Sequence, residues 1–322
     1  MEFWKDKKVL ITGVGGFVGS NLAERLIKEG AYVVGINRQT PFNGEIAQIF
    51  GDITDSKVVD RVVGQYEIDS IFHLASQSIL EVANRSPLYT LYPNIISTIN
   101  VLEAGSKSSV ERIILASSNN VYGEQESLPC TEESSFNAQG PYEVSKICSE
   151  FLIRPYNKIY NLPIGVARFG NIYGRGDLNF TRIVPNTIRS CLTKKAPRIY
   201  GDGSQIRKYT YIDDAISAYL TFAERLPDLE ERVLNFESDE RISVLDLVKK
   251  IIDLSKNGAK PIMVSTKHRV GEVRELYSSS KKAERLIGWR AKISLNEGLK
   301  RTIGWYRNYL GLIKPVKKLK DK

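Results

Sequence analysis

Thr12-Gly13-Val14-Gly15-Gly16-Phe17-Val18-Gly19 follows the apolar run Val9-Leu10-Ile11 and precedes a helical pattern carried by Leu22, Ala23, Leu26 and Ile27. A strand, a glycine turn and a helix in that order present a helix N-terminus to a phosphate. Gly13, Gly16 and Gly19 recur every third residue, which is not the G-x-G-x-x-G spacing. The backbone still passes close to a pyrophosphate, and the last glycine lets the helix pack on the strand. The turn is therefore expected to hold a dinucleotide, with Gly13, Gly16, Phe17, Val18 and Gly19 against it.

A second constellation makes the chemistry specific. Tyr142 and Lys146 lie four apart in Gly140-Pro141-Tyr142-Glu143-Val144-Ser145-Lys146. That spacing puts both side chains on one helix face, and Pro141 suits the first turn. Upstream, Arg112-Ile113-Ile114-Leu115-Ala116-Ser117-Ser118 reads as a buried strand ending in two hydroxyls. Ser118, Tyr142 and Lys146 form a proton-transfer set without histidine. The Lys146 ammonium is expected to bring the tyrosine pKa toward neutrality.

The 322 residues are 42% hydrophobic and 26% charged, enough to bury a sizeable core in one large domain or two closely joined ones. No apolar run approaches the ~20 residues that span a bilayer. The opening Met1-Glu2-Phe3-Trp4-Lys5 shows no secretory apolar segment. Cys130, Cys148 and Cys191 lack metal-ligand spacing, and His73 and His268 are the only histidines. A cytoplasmic protein with reduced thiols and no metal site is expected. Part of the +9 net charge sits in the tail at Lys314, Lys317, Lys318, Lys320 and Lys322, which reads as solvated and frayed. No basic stretch is interleaved with aromatics, so neither nucleic acid nor a membrane surface is expected as partner.

Strand patterns at Tyr32-Val33-Val34-Gly35-Ile36, at 68–75, at 112–118 and at 164–169 alternate with helical patterns at about 92–105 and after Tyr142. This alternation predicts an α/β, doubly wound parallel sheet over residues 1–165. Past residue 170, glycine-rich loops alternate with helical segments near 180–194, 213–225 and 244–255. A smaller α/β substrate domain is expected over 166–322, with some chain returning to the first domain. Ligands of such sheets bind beyond the carboxyl ends of the strands, where Ser76, Ser118 and Asn171 converge.

These motifs together resemble the extended short-chain dehydrogenase/reductase family, in its nucleotide-sugar epimerase/dehydratase branch with a Rossmann fold. Further marks are Gly51-Asp52-Ile53, His73-Leu74-Ala75, Ser117-Ser118-Asn119-Asn120-Val121-Tyr122-Gly123 and Arg168-Phe169-Gly170-Asn171-Ile172-Tyr173-Gly174. Gly201-Asp202-Gly203-Ser204-Gln205-Ile206-Arg207, Val270-Gly271-Glu272-Val273-Arg274 and Leu286-Ile287-Gly288-Trp289 follow. The run Gly176-Asp177-Leu178-Asn179-Phe180-Thr181-Arg182-Ile183-Val184-Pro185 is similar to CDP-glucose 4,6-dehydratase-like members.

The resemblance implies NAD or NADP as cofactor and a nucleotide-diphosphate sugar as substrate. Asp52 and Ile53 would hold the adenine, Ala75 would line the nicotinamide side, and Leu74 and Ser76 would flank it. Ser118, Asn119, Asn171 and Arg182 would meet the substrate. Arg207 and Arg274 would clamp the diphosphate, since guanidinium forks match phosphate oxygens. Tyr142 would take the sugar 4-hydroxyl proton, Lys146 would hold the ribose, and Ser118 would orient the reacting oxygen. The family usually forms homodimers, here through helices near 92–105 and 142–160.

Two departures from the family pattern bear on function. Members that dehydrate the sugar carry an acid/base pair after the serine, where this chain has Asn119 and Asn120. An amide only hydrogen-bonds, and general acid–base help is worth about 10²–10⁴-fold. The chain therefore fits a 4-epimerase better than a 4,6-dehydratase; a 4-keto reductase, a C4 oxidase and a silent NAD(P)-binding regulator are the other readings. Glu124 or Glu126 is the candidate substitute base for elimination. The second departure is Asn37-Arg38 at the end of the second strand, where NAD-selective members place an acid. Arg38 either meets a 2′-phosphate of NADP or stacks on the adenine of NAD.

Overall fold

The computed structural model describes residues 3–265 and 273–312. His268, Val270, Gly271, Glu272 and the lysine tail lie outside the described residues. The first layer runs β1 (Lys8–Thr12), α1 (Phe17–Lys28), β2 (Tyr32–Asn37), β3 (Ala47–Phe50), α2 (Ser56–Gln65) and β4 (Ser70–His73). It continues with α3 (Leu80–Arg85), α4 (Leu88–Ser106), β5 (Arg112–Ser118), α5 (Pro141–Tyr160) and β6 (Ile164–Phe169). The chain then adds β7 (Asn171–Tyr173), α6 (Ile183–Leu192), β8 (Arg198–Tyr200), β9 (Ile206–Tyr211), α7 (Ile212–Arg225) and β10 (Val233–Phe236). The last elements are β11 (Arg241–Ser243), α8 (Val244–Ser255), β12 (Ile262–Val264), β13 (Glu275–Leu276), α9 (Lys281–Ile287) and α10 (Leu295–Leu312).

Seven parallel strands form one sheet in the order β10-β6-β5-β4-β1-β2-β3. Successive strand residues point to opposite faces, so the buried runs feed two cores. Val9, Ile11, Phe72, Ile114 and Ala167 pack with α1 and α7. Leu10, Ile71, Ile113, Leu115 and Val166 pack with α2, α4 and α5. Continuous apolar strands covered on both faces are what a parallel sheet requires. The expected doubly wound sheet is the one observed. β6 straddles the 165/166 boundary, and β10 is chain from the second half returning to the sheet.

Some element limits differ from the sequence reading. The helix expected at about 92–105 begins at Leu88 and carries Pro93 inside it. The strand expected over 68–75 spans only Ser70–His73, because Leu74 and Ala75 leave the sheet to line a cleft. The segment expected from 180 starts as a helix at Ile183, since the Asn179 side chain caps a turn at the Thr181 N–H (3.1 Å). The second half builds a small sheet, β11-β9-β13 with β7 on β9, and a β12-β8 pair. β7 follows directly on the carboxyl end of β6, and β11 on that of β10.

Candidate active site

Gly13 has φ +73° and donates to the Ile36 carbonyl at 2.8 Å, which seats the turn between β1 and β2. A Cβ at Gly15 would overlap the Thr40 carbonyl, and one at Gly19 would overlap the Gly13 carbonyl. α1 therefore starts flush against the turn. Its N-cap, Gly16, offers no side-chain acceptor, and the first turn holds no acidic residue. The first helix N–H groups and the positive dipole end remain for an anion.

The turn opens on a cleft of about 320 Å³. Gly13, Gly16, Asn37, Arg38, Asp52, Ile53, Leu74, Ala75 and Ser76, among the residues expected to meet a cofactor, line it. Phe17 and Val18 pack against the core, and Gly19 is buried beneath the Gly13 carbonyl. Their contribution is to seat the helix. Thr40, Gln77, Asn94 and Ser97 also line the cleft and were not singled out in the sequence. Asn94 sits mid-helix in a mostly apolar stretch, so its only signal was a buried amide, which accepts from the Gln77 N–H at 2.8 Å.

Two polar atoms at this wall are buried without a partner: Asn37 Nδ2 and Ser76 Oγ. Asn37 Oδ1 accepts from the Gly15 N–H at 2.7 Å, so only its amino end is left to a ligand. The Thr54 N–H and hydroxyl, with the Arg38 charge nearby, hold the Asp52 carboxyl below its ordinary pKa. A close glycine cradle, an uncapped helix start and orphaned polar atoms fit the phosphates and riboses of a dinucleotide.

The floor of the cleft is fixed by a buried chain of hydroxyls around His73. The Ala75 N–H donates to Thr12 Oγ1 (3.1 Å), and the same hydroxyl is hydrogen-bonded to His73 Nδ1 (2.9 Å). His73 Nε2 then faces Thr98 Oγ1 at 3.3 Å. Burial and the Lys146 charge push this imidazole down to about 3, so it stays neutral and serves as a rigid strut between β4 and α4.

Ser118 ends β5, while Tyr142 and Lys146 occupy the first turns of α5 with Pro141 at its start. The Ser118 hydroxyl lies beside the Tyr142 phenol. Lys146 Nζ donates to the Ala116 carbonyl at 2.8 Å and lies 5.8 Å from the Tyr142 ring centre. Burial pushes the Lys146 amine down to about 8, against the pull of Glu150. Burial also pushes the Tyr142 phenol up to about 12; the Arg182 charge and the Ser118 hydroxyl pull it down, and Glu143 adds to the rise. This corrects the expectation of a near-neutral tyrosine set by Lys146. Desolvation dominates, Lys146 spends one of its three donors on a backbone carbonyl, and Arg182 is the cation that lowers the phenol's pKa.

A buried pair locks this corner. Arg168 on β6 donates to Glu150 of α5 at 2.6 Å and to the Tyr122 hydroxyl at 2.8 Å, and Ser117 donates to Glu150 at 2.5 Å. Such a pair adds little net stability but fixes geometry once every partner is satisfied.

The remaining expected residues gather at the second sheet. Arg207 donates to the carbonyls of Val273 (2.6 Å) and Arg274 (3.1 Å), so the two arginines meet where β9 pairs with β13. Asn171 is exposed, with its amide on the Lys208 carbonyl at 3.3 Å. Arg182 caps α6, pairs with Asp177 at 3.3 Å and faces Tyr142. Asn119 is buried, and its amide donates to Glu237 at 2.6 Å. Glu124 and Glu126 are exposed on the loop beyond Gly123. Glu237 went unread: only a charge directly after the apolar Val233–Phe236 strand marked it.

The family model described as GDP-mannose 4,6-dehydratase matches residues 10–302. The chain belongs to that family, within the extended short-chain dehydrogenase/reductases that comprise nucleotide-sugar epimerases and dehydratases. A UDP-glucuronate 4-epimerase of Thermodesulfobacterium geofontis is 30% identical over 96% of this chain and 98% of its own. The solved epimerase Mth375 of Methanothermobacter thermautotrophicus superposes with a TM-score of 0.90 at 30% identity, covering 97% of this chain and 95% of its own. The UDP-glucose 4-epimerase of Thermus thermophilus, solved with NAD, gives a TM-score of 0.84 at 25% identity over 93% and 99% of the two chains.

Proposed function

We propose that this chain is an NAD-dependent 4-epimerase of a UDP-hexose. The observation that carries the reading is the meeting of Ser118 and Tyr142 at the strand ends beside the glycine cleft, with amides, not acids, at positions 119 and 120. Bound NAD would supply a hydride acceptor and donor at C4. Tyr142 takes the proton of the 4-hydroxyl and returns it to the same oxygen once the keto sugar has turned its opposite face to the hydride donor. Ser118 holds that oxygen, and Arg182 favours the phenolate. Lys146 binds a ribose hydroxyl, while Arg207 and Arg274 take the diphosphate.

Elimination across C5–C6 needs a base and an acid. Asn119 and Asn120 supply neither, and Glu124 and Glu126 are exposed. The dehydratase reading is favoured by the family description and the Gly176–Pro185 run. Incubation of the full chain and NAD with UDP-glucose is expected to yield UDP-galactose at unchanged mass. Loss of a water at ordinary turnover rates defeats the epimerase reading.

The partner is a second copy of the chain, and the setting is the cytoplasm. In support, α4 and α5 pack on each other and leave Leu88, Tyr89, Tyr92, Phe151, Ile159 and Tyr160 exposed along their lengths, apolar side chains that a symmetric dimer would cover. Among the described residues no helix is long and apolar enough to cross a membrane. Light scattering is expected to give twice the chain mass, falling to one chain in Tyr89→Lys/Ile159→Lys. A wild-type monomer removes the dimer.

A further inference from the structure

Ser118, Phe169 and Phe236 share one register line across β5, β6 and β10. The next residues, Asn119, Gly170 and Glu237, therefore stand in one row at the strand ends. Glu237 is 2% exposed. Its carboxylate reaches over Gly170, where a Cβ would overlap Oε1. Asn119 Nδ2 donates to Oε1 at 2.6 Å, and the Ser278 N–H donates to Oε2. Both oxygens are committed, so Glu237 neither touches the sugar nor exchanges a proton with it.

Its influence on Asn119 is directional. An amide carries its donor and its acceptor on opposite sides. An NH₂ held by the carboxylate over Gly170 leaves Oδ1 as the free, accepting end of the amide, one residue past Ser118 at the end of β5. We propose that Glu237 is a positioning residue which, through Asn119, makes the subsite next to C4 a hydrogen-bond acceptor that takes the hydroxymethyl of UDP-glucose and refuses the carboxylate of UDP-glucuronate. This deepens the epimerase reading and rests on it. A carbonyl meeting a hydroxyl gains a hydrogen bond. Meeting a carboxylate, it opposes acceptor to acceptor, with a buried anion behind.

The charged and titratable groups facing Glu237 are Lys208 of β9 and Cys130 of the loop before α5. Lys208 Nζ donates to the Ser278 carbonyl at 3.0 Å, so it braces the same corner. Burial pushes the Glu237 carboxyl up to about 7, against the pull of Ser278, Lys208 and Asn119. Below that pH the protonated carboxyl loses its hold on the amide.

The test is the ratio of kcat/KM for 4-epimerisation of UDP-glucose over UDP-glucuronate, in wild type and Glu237→Gln. Wild type is expected to prefer UDP-glucose at least about tenfold. Glutamine offers a donor as well as an acceptor and frees the Asn119 amide to turn. The ratio is then expected to fall by about tenfold, mainly through KM for the uronate. A role in packing alone lowers both sugars alike and leaves the ratio. Should Glu237→Gln not fold, the wild-type ratio is followed over about pH 6–8, where it is expected to shrink as pH falls. A ratio moved by neither variant nor pH, or a wild-type preference for the uronate, overturns the proposal. Turnover of neither sugar is a separate outcome that sinks the epimerase reading and this inference with it.

Discussion

Tyr142→Phe is expected to lower kcat by about 10²–10⁴-fold, the loss that follows removal of one positioned acid–base group. The ring stays, so packing is preserved. What goes is one hydroxyl and its contact with Ser118, worth at most about 0.5–1.5 kcal/mol of stability. NAD affinity and melting temperature should therefore move little while turnover collapses. The pH profile adds a second readout. The phenol must lose its proton to act, and burial holds its pKa at about 12, so wild-type kcat rises with pH from the neutral side. The Lys146 ammonium titrates at about 8; above that it loses its charge, and its hold on a ribose hydroxyl, as fast as the phenol loses its proton, so kcat levels off. A rise to a plateau near pH 8 is expected in wild type, with the rising limb absent from the residual rate of Tyr142→Phe. A variant with near-normal kcat takes the tyrosine out of the mechanism.

The parts legible in the sequence are those set by local spacing. The Gly13/Gly16/Gly19 rhythm, the Tyr142–Lys146 pair and the serine at a strand end each describe one element, and each stands where its spacing put it. The apolar runs gave the parallel sheet because strands buried on both faces carry no alternation. What stayed hidden depends on chain brought from far away. Glu237 meets Asn119 across 118 residues, and Arg182 reaches Tyr142 from the second half of the chain. The tyrosine's acidity was misread for the same reason: spacing shows that Lys146 is near, but not that its ammonium is bound to Ala116 or that desolvation outweighs it. α4 begins at Leu88, four residues before the expected start at about 92, and carries Pro93 in its first turns. Departures from a family pattern, such as Asn119 and Asn120, narrowed the chemistry more than composition did.

Gly19→Ala is expected to weaken NAD binding by about 100-fold or more and to lower the melting temperature by several degrees. The added methyl would overlap the Gly13 carbonyl and stand 2.9 Å from Val14 Cα. All of these are backbone atoms, so no side chain can swing aside. The turn cannot retreat either: Gly13 is pinned at φ +73° by its bond to Ile36, and its own Cα side abuts Ala75. Relief must come from moving the start of α1 away from β1, at a cost of about 1–3 kcal/mol or more for overpacking. That motion carries off the uncapped N–H groups that would meet the pyrophosphate, and each 1.4 kcal/mol lost there is about tenfold in affinity. Gly64→Ala in α2 is the control, because a Cβ there meets nothing within 4 Å. It should leave NAD binding intact and stabilise the helix by up to about 1 kcal/mol. Calorimetric titration of NAD and a thermal melt on the two variants decide the matter: equal affinities would mean that the glycine turn is a packing device and that the dinucleotide lies elsewhere.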